Sequence, residues 1–380
     1  MKANREEENQ IVKLRSSEKV DKQIKELEEE ISKTKYNKKT QHHIGLAKAK
    51  LARLKDKKES RSSKGKKGSG FSVRKTGDGT VVLVGFPSVG KSTLLNAITN
   101  ADSKIGSYAF TTLTCIPGLL EYKHAKIQIL DVPGVVRGAA AGTGRGKEVL
   151  QVLRTADLCM LILDIFHPEH YKVLLKEIFD TDIRLMQKKP DVRITKTSRG
   201  GIRIGKTVKL NMKDETIKSI LNEFKLSNAD ILIREKIDED QLIDIIEGNK
   251  CYIPSIVIAN KVDLASEDDI ARFKEKVKAD LLISADQGTG TDELKELIFQ
   301  RLNLVRIFLK ENGKKADMEV PMIIFRDCTI RDVCEKLHRD FVEKFKFARI
   351  WGKSVKFDGM KIMKLDHQLK DEDILELHMS

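Results

Sequence analysis

The sequence contains few cysteines and few aromatic residues, and it has no long apolar run. None of its cysteines lies in a C-x-x-C pair, which argues against a disulfide scaffold and against a cysteine-based zinc site. No apolar run approaches the ~20 residues of a membrane-spanning helix, and no signal peptide is recognisable. We therefore expect a cytoplasmic protein with free thiols and no membrane partner. The cysteines are Cys115, Cys159, Cys251, Cys328 and Cys334.

Acidic residues are outnumbered by basic ones. The 71 Lys and Arg residues face 57 Asp and Glu residues, and the formal net charge is +14. Such an excess favours a polyanionic partner. The 380 residues, of which 40% are hydrophobic and 34% charged, are typical of a globular protein with several domains. His167 and His170 are too isolated in the sequence to indicate a metal site.

Residues 79–93, GTVVLVGFPSVGKST, predict a buried strand, a tight turn and the start of a helix. The turn fits G-x-x-x-x-G-K-[S/T], the phosphate-binding loop. Its glycines let backbone N–H groups face one anionic centre, Lys91 supplies charge for the outer phosphates, and the Ser92 hydroxyl is a ligand for Mg²⁺. The predicted nucleotide-binding residues of this loop are Gly85, Phe86, Pro87, Ser88, Val89, Gly90, Lys91 and Ser92.

Two stretches downstream of the loop predict contacts with the γ-phosphate. In YAFTTL, residues 108–113, a threonine hydroxyl can reach the metal, and in DVPG, residues 131–134, a carboxylate follows a strand. The glycine-rich segment 134–146 can order around a γ-phosphate and loosen after hydrolysis. The predicted contacts are Phe110, Thr111, Thr112, Asp131, Val132, Pro133 and Gly134, with Ser92, Thr112 and Asp131 on the metal and Lys91, Thr112 and Gly134 in catalysis.

The motif NKVD, residues 260–263, predicts which nucleotide base the protein recognises. It follows another apolar strand. The Asp263 carboxylate can accept two N–H bonds from the Watson–Crick edge of guanine, whereas adenine would leave it unsatisfied. Asn260 braces the loop, and the Lys261 stem can lie along the ring. A small-residue turn at Ser284 and Ala285 can offer a backbone N–H to guanine O6. All of these residues follow strands, so a parallel sheet with ligands at its carboxyl edge is expected.

Two basic segments flank or interrupt this nucleotide-binding pattern. Residues 32–67, with 14 Lys and Arg against two acidic residues, lie in a predicted helical hairpin and linker, 1–70, in which Thr40 is a candidate N-cap. Residues 188–213, with nine Lys and Arg against one Asp, lie in an α+β insert, 165–235, and predict a basic β-hairpin around Gly200 and Gly201. RNA contact and a merely solvated surface both remain open for each segment.

The nucleotide-binding domain, 71–302, is followed by a separate unit, 303–380. Its pattern predicts a small α+β domain in the order ββαββ, with Thr329 capping a helix that carries Ile330, Val333, Leu337 and Phe341. It has no recognisable catalytic group, and we expect Trp351 and Phe357 to lie in its core.

The motifs GFPSVGKS, YAFTTLT, DVPG followed by VVRGAAAGTGRG, NKVD and ISA resemble those of the Obg-related GTPases. With TQHHIGLAKAKLARL, the RGGI insert and KFKFARIWGKSVK, the chain is similar over nearly its full length to the developmentally regulated GTP-binding (DRG) proteins. The resemblance implies an α/β P-loop GTPase domain, a C-terminal TGS domain with a β-grasp fold, and an insert like a domain of a small-subunit ribosomal protein. It also implies Mg²⁺-dependent GTP binding and association with ribosomes or ribosomal RNA, and a stabilising regulatory protein as in eukaryotic members. We expect the protein to be a monomer. Thr112, rather than Thr111, matches the metal-binding threonine.

Two positions depart from related GTPases. Val135 stands where Ras-like GTPases have the glutamine that orients the attacking water, so we expect slow hydrolysis by the protein alone. Ser88 stands where potassium-activated relatives have asparagine, which argues against K⁺ as a cofactor. Two functions stay open: a GTP-hydrolysing switch on ribosomes, and a ribosome- or RNA-binding scaffold in which GTP is mainly a structural ligand. A third function, that of an ATPase, is disfavoured because the Asp263 carboxylate suits guanine and not adenine.

Overall fold

The computed structural model describes residues 19–35, 37, 40–63, 77–99, 116–132, 152–338 and 340–379. The chain forms two compact units, one of Met1–Gly70 with Lys188–Lys250 and one of Phe71–Gln187 with Cys251–Ser380. The predicted insert, 165–235, does not coincide with the 188–250 part of the first unit. The reason is that residues 170–185 form a helix and a strand whose apolar side chains Leu174, Ile178 and Ile183 belong to the nucleotide-binding core.

The helices and strands are numbered in chain order. The strands are β1 (Gly79–Val84), β2 (Ile116–Tyr122), β3 (Ala125–Asp131), β4 (Leu158–Asp164), β5 (Ile183–Leu185), β6 (Val192–Lys196), β7 (Ile202–Lys206), β8 (Ala229–Ile233), β9 (Cys251–Ile253), β10 (Ser255–Asn260), β11 (Leu281–Leu282), β12 (Leu304–Lys310), β13 (Met322–Phe325), β14 (Phe345–Trp351), β15 (Met360–Ile362) and β16 (Asp373–Met379). The helices are α1 (19–33), α2 (Gln41–Ser63), α3 (Lys91–Ile98), α4 (152–155), α5 (His170–Phe179), α6 (Asp214–Glu223), α7 (Glu239–Glu247), α8 (Glu267–Lys276), α9 (Thr291–Arg301), α10 (Ile330–Leu337) and α11 (Asp340–Glu343).

A six-stranded sheet organises the nucleotide-binding domain, in the order β11-β10-β4-β1-β3-β2. All neighbouring pairs are parallel except β2 with β3. The central strands β1, β4 and β10 are buried at every position, as expected for apolar runs covered on both faces. One face packs against α5 and α8, and the other against α3 and α9. The carboxyl ends of the parallel strands therefore meet at one edge.

The first unit contains a helical hairpin packed on residues Lys188–Lys250, which are called the insert from here on. Helices α1 and α2 run antiparallel and are joined by exposed ion pairs such as Lys55–Glu28 at 2.8 Å. The other face of α2 buries Ala49 among apolar residues of α6 and α7. Thr40 precedes α2, and its hydroxyl accepts a hydrogen bond from the Asn37 N–H at 3.0 Å.

The β-hairpin predicted around Gly200 and Gly201 is wrong. Strands β6 and β7 do not pair as a hairpin, because β8 lies between them in the order β6-β8-β7. β8 is antiparallel to β6 and parallel to β7. The central strand buries Ala229, Ile231 and Ile233, whereas the charged residues of β6 and β7 suit them to the two edges.

Residues 303–380, which are part of the second unit, form a five-stranded sheet in the order β13-β12-β16-β14-β15, with β12 and β16 parallel. Thr329 caps α10 in a capping box with Asp332, as the sequence predicts. Helix α10 ends at Leu337, so Phe341 lies on the separate α11, and β15 is an additional strand. Phe357, expected in the core, is 65% exposed, because it lies in the irregular segment before β15.

Among the described residues no helix is long and apolar enough to cross a membrane. The cysteines of the described part of the chain, Cys159, Cys251, Cys328 and Cys334, are free thiols.

Candidate functional site

The phosphate-binding loop connects β1 with α3 at the carboxyl edge of the sheet. Gly90, the N-cap of α3, has φ 92°, a left-handed conformation. A Cβ atom at this position would lie 2.3 Å from Nδ2 of Asn260. A Cβ at Gly85 would lie 2.5 Å from the carbonyl oxygen of Ile162. Both glycines of the motif are therefore required by close contacts as well as by the turn.

Asn260 joins the phosphate-binding loop to the turn at Ser284 and Ala285, at the predicted guanine end of the site. Its Nδ2 donates to the Val89 carbonyl at 2.9 Å, and its Oδ1 accepts from the Ala285 N–H at 2.9 Å. Asn260 is itself buried, so both bonds lie in a medium where an unpaired amide would be costly. The Ala285 N–H thus donates to Asn260 here, and a contact of the turn at Ser284 and Ala285 with guanine O6 stays a prediction.

Lys91 turns back onto its own loop. Its Nζ donates to the carbonyl oxygens of Gly85 at 3.0 Å and Phe86 at 2.9 Å. Burial lowers the pKa of this lysine, and the charge of Asp131 opposes that shift. A cation close to Asp131 and inside the loop is placed to meet an anionic ligand.

Ser92 and Asp131 form the oxygen pair that a magnesium site requires. The Ser92 hydroxyl donates to Oδ2 of Asp131 at 2.9 Å. Asp131 is buried, and its Oδ1 has no hydrogen-bond partner among the described residues. A buried carboxylate oxygen without a partner is costly, and a divalent cation held by hard oxygen ligands would satisfy it. The residues present therefore fit Mg²⁺.

The predicted guanine end of the site includes Lys261, which has φ 70°. Its Nζ pairs with Oδ2 of Asp164 at 2.7 Å. Asp263 follows in a 3₁₀ turn, Val262–Leu264, and its carboxylate has no hydrogen bond to the described residues. The Asp263 carboxylate is therefore available to a ligand, while Asp164 holds the neighbouring lysine.

Asp164 was not predicted as a site residue. It ends β4, the strand beside β10, and the registered pair Asn260–Asp164 places it next to NKVD. An acidic residue at the end of a buried strand, as in DLCMLILD, was the available signal.

The structure brings the phosphate-loop residues 85–92, Asp131 and the guanine-end residues 260–263 and 284–285 to one edge of the sheet. Val132 is buried in the core below it. The remaining predicted residues, Phe110, Thr111, Thr112, Pro133 and Gly134, and also Val135, lie outside the described residues.

The basic stretches of the first unit are partly neutralised. Arg203 makes two hydrogen bonds to Asp230, at 2.7 and 2.8 Å, and Lys206 pairs with Asp214. In α2, Arg53 pairs with Glu223 at 3.0 Å. The exposed cations of 188–213 that make no ion pair with described residues are Lys188, Lys189, Arg193, Lys196, Arg199, Lys209 and Lys213.

Comparison with known proteins gives matches along most of the chain. Three family models match: "50S ribosome-binding GTPase" at residues 80–196, the "C-terminal region" of that GTPase domain at 199–304, and the "TGS domain" at 305–379. The chain is 51% identical over 363 residues to an uncharacterised GTP-binding protein of Methanocaldococcus jannaschii, covering 94% of this chain and 92% of the relative.

A human relative and a solved structure add to these matches. The chain is 40% identical over 357 residues to the human developmentally-regulated GTP-binding protein 2, covering 93% of this chain and 98% of the relative. The Schizosaccharomyces pombe YchF GTPase structure aligns at 14% identity with a TM-score of 0.48, covering 80% of this chain and 99% of that one.

Proposed function

The chain belongs to the family of developmentally regulated GTP-binding proteins, and from this premise we propose that it is a GTP-driven molecular switch that acts on ribosomes or RNA. It is a GTP-binding GTPase with a TGS domain. The observation that carries the proposal is the Asn260 side chain, which joins the phosphate-binding loop to the guanine end of the site. One bound nucleotide can therefore influence both ends together.

Guanine selectivity is proposed to reside in Asp263. Its carboxylate is free of described partners and accepts the N1–H and 2-amino donors of guanine. Lys261, held by Asp164, is positioned to place its apolar stem along the purine ring. Asn260 supports both loops and does not need to contact the base.

The phosphate end is proposed to work through Lys91, Ser92 and Asp131. Lys91 leaves the carbonyls of Gly85 and Phe86 and pairs with the β- and γ-phosphate oxygens. Ser92 and Asp131 would hold Mg²⁺, which when bound offsets charge developing on the phosphoryl oxygens. Thr112 and Gly134 remain predicted contacts to the metal and the γ-phosphate.

Slow hydrolysis by the protein alone is proposed because the Val135 side chain can neither donate nor accept a hydrogen bond and so cannot orient the attacking water. We expect single-turnover GTP hydrolysis to accelerate roughly tenfold or more on ribosomes, which corresponds to about 1.4 kcal/mol of barrier. Ser92→Ala should lose hydrolysis under both conditions, because it lacks the metal-binding hydroxyl.

The alternative is a ribosome- or RNA-binding scaffold in which GTP is mainly a structural ligand. Absence of acceleration by any ribosomal fraction, with GTP binding intact, would favour it over the switch. Cosedimentation with ribosomal subunits in GDP and in a non-hydrolysable GTP analogue separates the two further, because only the switch requires nucleotide-dependent association. Both functions place the protein in the cytoplasm, where ribosomes are found.

A further inference from the structure

The turn that follows β4 brings two histidines and a glutamate together beside the nucleotide site. His167, Glu169 and His170 each offer one ligand atom, and these atoms lie within 4.8 Å of one another. His167 Nδ1 and Glu169 Oε1 are 3.1 Å apart, and the two imidazole rings stack with centroids 5.1 Å apart. The two histidines alone were too isolated in the sequence to predict a metal site, and the structure adds Glu169 to them.

Two members of the cluster are exposed to solvent, and the third has a buried ring nitrogen without a hydrogen-bond partner among the described residues. The side chains of His167 and Glu169 are 55% and 61% exposed, so an ion can reach them. Nδ1 of His170 is buried and has no hydrogen-bond partner among the described residues. A buried ring nitrogen without a partner costs free energy, which a bond to a cation at this nitrogen would offset.

We propose that His167, Glu169 and His170 bind a divalent transition metal ion, for which zinc is the best fit. Two imidazole nitrogens and one carboxylate oxygen are a common zinc ligand set that leaves a fourth position for water. Magnesium prefers oxygen ligands alone and therefore belongs to Ser92 and Asp131 rather than to this cluster. The two sites select different ions because their donor atoms differ.

The proposed zinc site contacts the phosphate-binding loop directly. The His170 ring stacks on Phe86 with centroids 3.9 Å apart and an interplanar angle of 20°. The carbonyl of Phe86 is one of the two acceptors of Lys91. The same turn is anchored by Asp164, whose Oδ1 accepts from the Phe166 N–H and whose Oδ2 pairs with Lys261.

An ion that fixes His170 reduces the freedom of Phe86, and an ion that fixes the turn also restrains Asp164. A nucleotide bound at the phosphate-binding loop would restrain the same residues. Because each ligand then binds a partly ordered loop, zinc and GDP should strengthen one another's binding.

The site is tested by calorimetric titration of untagged, nucleotide-free full-length protein with zinc chloride in excess Mg²⁺. We expect one equivalent of zinc, with affinity reduced at least about tenfold in His167→Ala and in His170→Phe. The phenylalanine keeps an aromatic ring against Phe86 while removing the ligand. His124→Asn is the matched control, because His124 is an exposed histidine at φ 66° that asparagine tolerates.

Cobalt substitution provides a second readout, since a tetrahedral site with nitrogen ligands gives visible d–d absorption that the two ligand variants should lose. Absence of zinc binding, or binding that His167→Ala and His170→Phe leave unchanged, would overturn the proposal. These results do not depend on GTP hydrolysis, so the site and the proposed function can fail separately.

The coupling is tested by measuring GDP affinity with and without zinc. We expect zinc to tighten GDP binding about fivefold in the unaltered protein and to have no effect in His170→Phe. Equal GDP affinities with and without zinc in a protein that binds the ion would overturn the coupling.

Discussion

Three aspartates at the carboxyl edge of the sheet behave differently because of their neighbours. Asp131 accepts from Ser92 and keeps one buried oxygen unpaired, which suits a metal. Asp164 forms an ion pair with Lys261 at 2.7 Å. Asp263 makes no hydrogen bond to the described residues. The same residue type is therefore suited to a metal site at Asp131, supports a lysine at Asp164, and offers a free acceptor at Asp263, for which base recognition is proposed.

Asp263→Asn should move the preference of the protein from guanine to xanthine nucleotides. The amide replaces one acceptor by a donor, which suits the 2-oxo group of xanthine and opposes the 2-amino group of guanine. We expect the ratio of GDP to XDP affinity, measured by calorimetry, to change by roughly a hundredfold.

Asp164→Asn is the matched comparison, because it removes the ion pair with Lys261 without altering the base contact. This substitution should weaken the binding of GDP and the binding of XDP to a similar extent. An affinity ratio that stays the same in Asp263→Asn would remove Asp263 from the base-recognition role.

At the scale of elements, α2 is held to the insert by two kinds of contact. Lys48 Nζ and Asp240 Oδ2 are 2.6 Å apart, but their side chains are 26% and 43% exposed. Ala49, the next residue, is fully buried in the cluster formed with α6 and α7. Exposed ion pairs contribute little, whereas close packing of a buried residue tolerates no charge.

Ala49→Asp should therefore release α2 from the insert, and Lys48→Ala should not. We expect the aspartate to cost about 3 kcal/mol or more, because it buries an unpaired charge. The loss of Lys48 should cost at most about 1 kcal/mol. Hydrogen exchange of the α2 amides measures both, and equal protection in the two variants would show that packing is not what holds the hairpin.

Across the whole molecule, positive charge is gathered in one compact unit. The two basic stretches, 32–67 and 188–213, are far apart in the sequence, but their described parts belong to the unit formed by Met1–Gly70 and Lys188–Lys250. Several of their cations are paired with acidic residues of the same unit, including Arg53 and Arg203. A count of charges along the sequence thus overstates the charge available to a polyanionic partner.

Replacing Arg193, Lys196 and Arg199 by glutamine should weaken ribosome association and flatten its dependence on salt. These cations are exposed and have no ion pair with the described residues. If each meets a phosphate, the slope of log affinity against log salt should fall by about two to three. Ribosome cosedimentation over a series of salt concentrations measures this slope.

The control for this variant removes the same number of charges elsewhere, by replacing the exposed Lys274, Lys276 and Lys278 with glutamine. Its slope should be unchanged. An equal decrease in both variants would indicate that total charge, rather than the insert, determines the association.

The amino-acid sequence by itself determined the order of the nucleotide motifs and their places at strand ends. Apolar runs, glycines and caps act over a few neighbouring residues, so their meaning does not depend on the rest of the chain. Local sequence patterns also predicted the hairpin helices and the Thr329 cap. The nucleotide contacts of Phe110, Thr111, Thr112, Pro133 and Gly134 stay predictions.

Only the tertiary structure decided which distant groups meet. The sequence pattern of β6 and β7 is compatible with a hairpin, and the insertion of β8 between them depends on burying its apolar residues. Lys261 forms an ion pair with Asp164, 97 residues away, and the ring of Phe86 in the phosphate loop stacks on that of His170. Such contacts depend on how the strands are ordered in the sheet, and that order follows from burial over the whole core rather than from any local stretch.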